Sequence, residues 1–329
     1  MAFNKPFVYN QQIEDVAKQA RTATTLEELT KICNKLNIAD VIFLGQMDIK
    51  LCKYALTALY RTLRIYPEMR PFINYFGTWN GFVGYKRPLF VKKYPNLPRD
   101  AVDFYIKTSD QQAEDAREIF KQGGGIGLAM KFGIIYGPKE YMIGAVLVNG
   151  KTFHEDKEQQ ELQYNERMGF HPQGCNTIKS VIDHELGHMM DFNLGISDSP
   201  VFRRFISQYS VMDLKRGLSE YCVYTGQPDL REVLAEGYSE YRNNPNPRPI
   251  AMAIGQMVDN AYCDMFRPAH FDTNLFRKNQ QTQLPNPNPR PPRPRPPQQS
   301  SSGGGNLEDG MRRLLGDDLT DKIKTLFKW

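Results

Sequence analysis

The chain lacks any long apolar run. None of its 329 residues lies in an unbroken apolar stretch of the roughly 18 residues that a transmembrane helix needs. Residues 1–6 also lack the apolar run ending in small residues that marks a secretory signal. We therefore expect no membrane partner, and a location in the cytoplasm or in an assembled particle.

Cysteine is scarce, and charge of one sign is only mildly in excess. The five cysteines are odd in number, widely scattered and free of any Cys-x-x-Cys pair, which predicts reduced thiols rather than a disulfide framework. The formal net charge is +5, and three arginines of a proline-rich run contribute much of the local excess. So mild a charge does not predict nucleic acid as the main ligand.

What the chain does contain is ample material for a folded core. Hydrophobic residues make up 40% and charged residues 24%, as in ordinary globular proteins. Two apolar runs, 128–136 and 141–148, flank Gly137-Pro138 and predict a β-hairpin. Residues 71–98, dense in aromatics, glycine and proline, support no firm assignment. Apolar residues recur at helical spacing in several segments, which are 11–66, 110–122, 177–191, 229–241 and 250–266.

The C-terminal part has a different composition. Proline alternates with asparagine and arginine over 285–297, and a Gln/Ser/Gly stretch follows, so residues 276–305 are predicted to be an extended tether. Residues 306–329 regain an amphipathic pattern. A helix this short cannot bury an apolar side alone. We expect it to dock on a partner, such as a capsid or other shell protein.

The chemistry is carried by His184-Glu185-Leu186-Gly187-His188, which lies within a helical pattern. Residues four apart share a helix face, at about 5–6 Å between Cβ atoms, so two imidazoles could bind one Zn²⁺. Glu185 would then face water on the metal and act as general base. A simpler interpretation is an ordinary helix with two histidines and a solvated glutamate, but the chain has only five histidines to place in this register.

A catalytic zinc needs a third protein ligand. One class of zinc peptidase finds it in His-Glu-x-x-His-x-x-Gly-x-x-His, but Asp191 and Leu194 occupy the last two positions here, which excludes that class. The alternative is a carboxylate on a later helix. Glu232, Glu236 and Glu240 are four apart. Such a row is usually a solvated face, yet beside the histidine helix two neighbours suit a ligand and an acceptor that fixes a histidine tautomer.

These motifs resemble one family. Four blocks resemble the gluzincin zinc peptidases related to the catalytic domain of anthrax lethal factor, and especially their relatives in bacteriophage minor head proteins and phage-borne toxins; the blocks are 169–172, 179–191, 218–221 and 232–236. The resemblance implies a zincin-like α+β core with a short mixed sheet, an edge strand, the His-Glu-x-x-His helix and a downstream Glu helix. This core would span residues 101–275, after a helical N-terminal region of residues 1–100.

The resemblance also implies roles for single residues. His184, His188 and Glu232 match the zinc ligands, and Glu185 matches the general base. Glu236 matches the acidic residue that hydrogen-bonds a ligand histidine. Tyr221 matches the tyrosine that stabilises the oxyanion, but its spacing from Glu232 is longer than in the family, and Tyr224 is nearer in spacing. Residues 141–148 match the edge strand that pairs with an extended peptide substrate.

Several readings follow from this resemblance. We favour zinc-dependent peptide hydrolysis by a phage- or prophage-encoded protein, cytoplasmic or virion-associated, that acts on a protein or peptide. The alternatives are a structural virion protein with a peptidase-like domain, and an injected toxin. His171 precedes the histidine helix and either lines the cleft or serves structure. His154 is predicted to lie in a solvated loop.

Overall fold

The computed structural model describes residues 6–45, 47–121, 126–149 and 155–267. Within them the fold is α+β, as predicted, with many helices and a small mixed sheet. The elements in chain order are α1 (Gln11–Thr22), α2 (Leu26–Leu36), β1 (Val41–Phe43), α3 (Ile49–Ile65), β2 (Tyr75–Thr78), α4 (Trp79–Lys93), α5 (Arg99–Lys121), β3 (Gly127–Tyr136), β4 (Lys139–Val148), α6 (Glu155–Arg167), α7 (Ile178–Leu194), α8 (Pro200–Ile206), α9 (Val211–Gly217), β5 (Val223–Tyr224), β6 (Gln227–Pro228), α10 (Leu230–Asn243) and α11 (Pro249–Phe266).

The N-terminal region is mostly helical, and its helix ends follow local sequence signals. Thr25 caps α2 in a capping box with Glu28. α3 ends just before Pro67, whose ring cannot continue a helix. The continuous helical prediction for 11–66 was wrong at β1, a strand too short to show alternation.

The main sheet has the strand order β1-β2-β4-β3. β1 and β2 are parallel, β2 and β4 are parallel, and β3 pairs with β4 as an antiparallel hairpin. The hairpin confirms the prediction from the two apolar runs. β2 lies in the stretch that the sequence left unassigned. The sheet therefore takes strands from both sides of the predicted boundary near residue 100.

The prediction that residues 141–148 form the edge strand was wrong. β4 lies between β2 and β3, and the edge on the hairpin side is β3. Residues 143–148 are all buried. A continuous apolar run of this kind is typical of a strand paired on both sides, because both of its faces are covered.

The helices after the sheet surround the histidine motif. α7 packs against α3, α10 and β3, and α11 packs on the far side of α10. The described residues up to Arg267 belong to one compact unit. Among the described helices, none is both long and apolar enough to cross a membrane. All five cysteines are buried free thiols. The predicted tether (276–305) and docking segment (306–329) lie outside the described residues, as do His154 and residues 268–275.

Candidate metal centre

The histidine helix is well defined at both ends. Thr177 caps α7 in a reciprocal pair of hydrogen bonds with Ser180, and Gly195 ends it in the left-handed conformation at φ 64°. His184 and His188 fall in the middle of this helix, where neither can fray. The local sequence therefore holds both imidazoles on one helix face, as the four-residue spacing predicts.

The second helix of the site, α10, is capped by Asp229, three residues before its first glutamate, Glu232. Asp229 accepts hydrogen bonds from the backbone N–H groups of Arg231 and Glu232. α10 passes very close to α7 at Gly187, where an added Cβ would lie 3.0 Å from the Cα of Ala235. Glycine inside the motif thus lets the two helices approach, and this approach brings Glu232 to the histidines.

Three side chains converge between the two helices, namely His184 and His188 of α7 and Glu232 of α10. The Nε2 atoms of His184 and His188 are 3.1 Å apart. Glu232 places Oε2 3.4 Å from His184 Nε2 and Oε1 3.3 Å from His188 Nε2. Tetrahedral zinc with bonds of about 2.0–2.1 Å separates neighbouring ligand atoms by about 3.3–3.4 Å. Each oxygen of Glu232 is near a different histidine. With one ligand atom taken from each residue, the three atoms lie within 4.8 Å of one another, so these residues could hold one metal ion.

Glu236 lies behind His184 rather than beside the three converging atoms. Its Oε1 is 3.5 Å from His184 Nδ1, the ring nitrogen opposite the one that faces Glu232. The carboxylate is buried, and neither oxygen has a hydrogen-bond partner among the described residues. This position suits an acceptor that fixes the tautomer and orientation of His184. We call His184, His188, Glu232 and Glu236 the histidine face.

The pKa values show that the histidine face attracts positive charge. Burial lowers the pKa of His184, but Glu236 and Glu232 outweigh it and raise the pKa to about 10. The pKa of His188 is also raised, because Glu232 outweighs burial. Burial raises the pKa of Glu236 to about 8, whereas the two histidines bring the net shift of Glu232 downward despite its burial. The carboxylates therefore favour a cation between them, whether protons or a metal ion carry the charge.

Glu185 lies between α7 and the edge strand β3. Its Oε2 accepts a 2.6 Å hydrogen bond from the backbone N–H of Ala129. A Cβ at Gly127 would lie 2.9 Å from Glu185 Cγ, so glycine leaves the space that this side chain occupies. Burial raises the pKa of Glu185, partly offset by His184 and His188. The sequence reasoning missed Ala129, and no sequence signal marks a backbone donor of this kind.

The two candidate tyrosines occupy different places. Tyr221 lies beside the site, with its ring centroid 5.6 Å from that of His171. The surrounding protein, then the charges of Glu236 and Glu232, raise the pKa of Tyr221 to about 12, although the residue is 41% exposed. Its phenol therefore keeps its proton at neutral pH. Tyr224 lies in β5, within a small hairpin.

That hairpin accounts for the long spacing between Tyr221 and Glu232. β5 and β6 pair around a turn in which Thr225 and Gly226 both have positive φ, at 47° and 76°. At its base the N–H of Asp229 donates to the carbonyl of Cys222 at 2.9 Å. The extra residues thus form a hairpin whose two ends are hydrogen-bonded to each other, so the longer spacing does not place Tyr221 farther from α10.

The remaining sequence candidates take structural positions. Glu240, the third carboxylate of the row, is fully buried, and both of its oxygens accept from the guanidinium of Arg248. Glu240 is therefore not on a solvated helix face, as a row of carboxylates usually is. The ring of His171 lies beside that of Tyr221. Burial, and then the charge of His184, lower the pKa of His171 to about 4. Comparisons with protein-family models, curated proteins and solved structures find no match.

Proposed function

We propose that this protein is a zinc-dependent peptide hydrolase of the gluzincin type, with a zincin-like core. The convergence of His184, His188 and Glu232 supports this most directly, since one ligand atom from each lies within 4.8 Å of the other two, close enough for a single ion to draw all three together. The resemblance of the surrounding motifs supports the same family. The phage context and the shell-protein partner rest on the resemblance and on residues outside the described ranges, so they stay predictions.

Each residue near the centre has a role in this proposal. His184, His188 and Glu232 hold the metal, and Glu236 keeps the Nδ1 proton of His184 in place. When bound, zinc would lower the pKa of water and polarise the scissile carbonyl. Glu185 accepts the proton from the attacking water and passes it to the leaving amine. Tyr221 donates a hydrogen bond to the oxygen on which negative charge develops.

The edge strand β3 offers a place for an extended peptide. The carbonyl of Ile126 accepts from Asn149 next to β4, whereas the N–H of Ala129 points to Glu185 on the other side. Backbone groups alternate in direction along an antiparallel strand. The N–H and C=O groups of the odd-numbered residues of β3 therefore point to the side of the strand that is not paired with β4. A substrate that pairs there would lie beside Glu185.

The decisive experiment compares metal content and hydrolysis in three proteins. We expect the wild type to bind about one zinc per chain and to cleave a library of unstructured peptides. Glu185→Gln should keep the zinc and lose hydrolysis by about 10²–10⁴-fold, as expected for a general base. The His184→Ala/His188→Ala variant should lose both. Full zinc binding by that double variant would overturn the assignment.

A tyrosine pair tests the oxyanion role. Tyr221→Phe should lower kcat by about 10²-fold or more with little change in KM, because its hydrogen bond forms only as charge develops. Tyr224→Phe, on the adjoining hairpin, is the matched control and should leave kcat within about twofold. An equal loss of kcat in both variants would show that the effect is not specific to Tyr221 and would contradict its role in stabilising the oxyanion.

A further inference from the structure

Asp183 directly precedes the proposed ligand His184 on α7, so the two side chains point about 100° apart around the helix. The side chain is fully buried and forms an ion pair with Arg61 of α3. Its Oδ2 also accepts a 2.9 Å hydrogen bond from Asn243 of α10. The carboxylate thus joins α3, α7 and α10 one residue before the first histidine of the histidine face.

Further hydrogen bonds extend this junction. The same Nη2 of Arg61 that contacts Asp183 lies 3.3 Å from Asn243 Oδ1. The Nδ2 of Asn243 donates to the carbonyl of Ser239, and the hydroxyl of Ser239 donates to the carbonyl of Ser180 on α7 at 2.8 Å. We call Arg61, Asp183, Ser239 and Asn243 the aspartate face. It ties the N-terminal part of α7 to the C-terminal part of α10.

Arg61 supplies the counter-charge that makes this arrangement stable. Asp183 is buried, and its Oδ1 has no hydrogen-bond partner among the described residues. A buried carboxylate needs a paired cation to offset its desolvation. Arg242 and Lys179 add positive charge nearby. Arg61 alone of these three has a hydrogen bond to Asp183 in the structure.

Small rotations of α7 decide whether the ligands fit a metal. Side-chain atoms lie about 5–6 Å from a helix axis, so a rotation of about 10° moves them by about 1 Å. Metal–ligand distances tolerate deviations of only about 0.2 Å. Asp183 and His184 are neighbours on one rigid helix, and a rotation that frees the first displaces the second.

We propose that Arg61 is a positioning residue of the metal centre: through Asp183 and Asn243 it fixes the rotation of α7 against α10. The N-terminal helix α3 is then a required support of the site. This inference rests on the proposed zinc function. It assigns Arg61 no contact with zinc or substrate.

The test compares Arg61→Met with Arg64→Met. Arg64 is one turn along α3 and contacts Glu14 and Tyr9, away from α7. Arg61→Met should weaken zinc affinity by about 10–100-fold, the range for residues that orient ligands. It should also change the visible absorption spectrum of the Co²⁺-substituted protein, which reports ligand geometry. Arg64→Met should change neither. Wild-type affinity and spectrum in folded Arg61→Met would overturn the proposal.

A second variant covers the case in which Arg61→Met does not fold. Arg61→Met/Asp183→Asn removes both charges of the ion pair together, so neither partner is left without the other and the protein should fold. Its zinc affinity should still fall by about 10–100-fold, and wild-type affinity would contradict the proposal.

A metal-independent measurement separates this proposal from the proposed function. Amide hydrogen exchange of the double variant in EDTA should speed up in α7 but not in α1. If the wild type binds no zinc, the proposed function fails, and the exchange result alone then decides whether Arg61 positions α7. An unchanged rate of amide hydrogen exchange in α7 would contradict the positioning role of Arg61.

Discussion

The two faces of the α7–α10 pair differ in how their charged groups are arranged. On the histidine face, four titratable groups crowd together with raised or lowered pKa values, and Glu236 has no hydrogen-bond partner among the described residues. On the aspartate face, one carboxylate has one counter-charge in Arg61, and Ser239 and Asn243 form hydrogen bonds that link the helices. Oδ1 of Asp183 has no partner among the described residues, and burial raises the pKa of Asp183.

This difference separates binding from support. A cluster of groups that favours a cation is costly to hold together when it is empty of positive charge, because like charges repel and burial opposes ionisation. The helices that carry it need other contacts to keep them in register. The aspartate face and the close approach at Gly187 provide those contacts in the same helix pair.

Removing a ligand from the histidine face should have the largest effect. We expect Glu232→Ala to weaken zinc binding far more than Glu236→Ala, because Glu232 approaches both Nε2 atoms whereas Glu236 only orients one ring. The loss in Glu236→Ala should be about 10–100-fold. Competition with a chelator of known affinity measures both. A larger loss of zinc affinity in Glu236→Ala than in Glu232→Ala would make Glu236 the ligand and Glu232 the residue that orients a histidine.

The third carboxylate of the same row should affect stability instead of zinc. Glu240→Ala removes the buried carboxylate that pairs with the half-buried Arg248, which keeps its hydrogen bonds to two backbone carbonyls, and should lower the free energy of unfolding by about 1.5–3 kcal/mol. Asp198→Ala breaks the exposed pair with Arg203 and should cost about 0–1 kcal/mol. Urea titration gives both values. If folded Glu240→Ala loses zinc as Glu232→Ala does, the division between binding and support fails along α10.

The helix contact at Gly187 joins the two faces. Gly187→Ala places a methyl group 3.0 Å from Ala235, and the crowding of about 1–3 kcal/mol exceeds the gain of about 0.8–1 kcal/mol from helix propensity. We expect a net loss of up to about 2 kcal/mol and weaker zinc binding. Gly84→Ala in α4, where nothing lies within 4 Å, should stabilise the protein by about 0.5–1 kcal/mol. Thermal and urea unfolding test the opposite signs, and equal signs would show that helix propensity dominates.

The smallest effect concerns His171 at the rim of the histidine face. Burial holds its folded-state pKa at about 4, below the unfolded value of 6.5. The unfolded chain therefore takes up a proton first, and stability falls as the pH drops from about 6.5 to 4. We expect the wild type in EDTA to lose about 1–2 kcal/mol more between pH 7 and 5 than His171→Gln loses. Parallel pH profiles for the two proteins would show that His171 is accessible to protons when folded.

Local patterns in the sequence predicted the elements that carry the candidate site. Apolar residues at helical spacing predicted α7 and α10, and the Gly-Pro turn predicted the hairpin of β3 and β4. The four-residue spacing placed His184 and His188 on one face. These features depend on contacts within a few residues, so a linear reading captures them.

Features that depend on distant partners were missed or mistaken. Strands of three or four residues, such as β1 and β2, show no period and form only because β4 pairs with β2. The spacing of Glu240 matches that of Glu232 and did not reveal its partner, because only the chain reversal after α10 brings Arg248 to it.

By itself the sequence determined which side chains could bind a metal, since ligand type and helical spacing are local properties. The tertiary structure alone decided that Glu232 meets both histidines, that β3 rather than β4 forms the edge, and that Arg61 stands behind Asp183. Each of these outcomes joins segments far apart in the chain. The reason is physical: such contacts form only when burial of the shared core offsets the entropy of bringing those segments together.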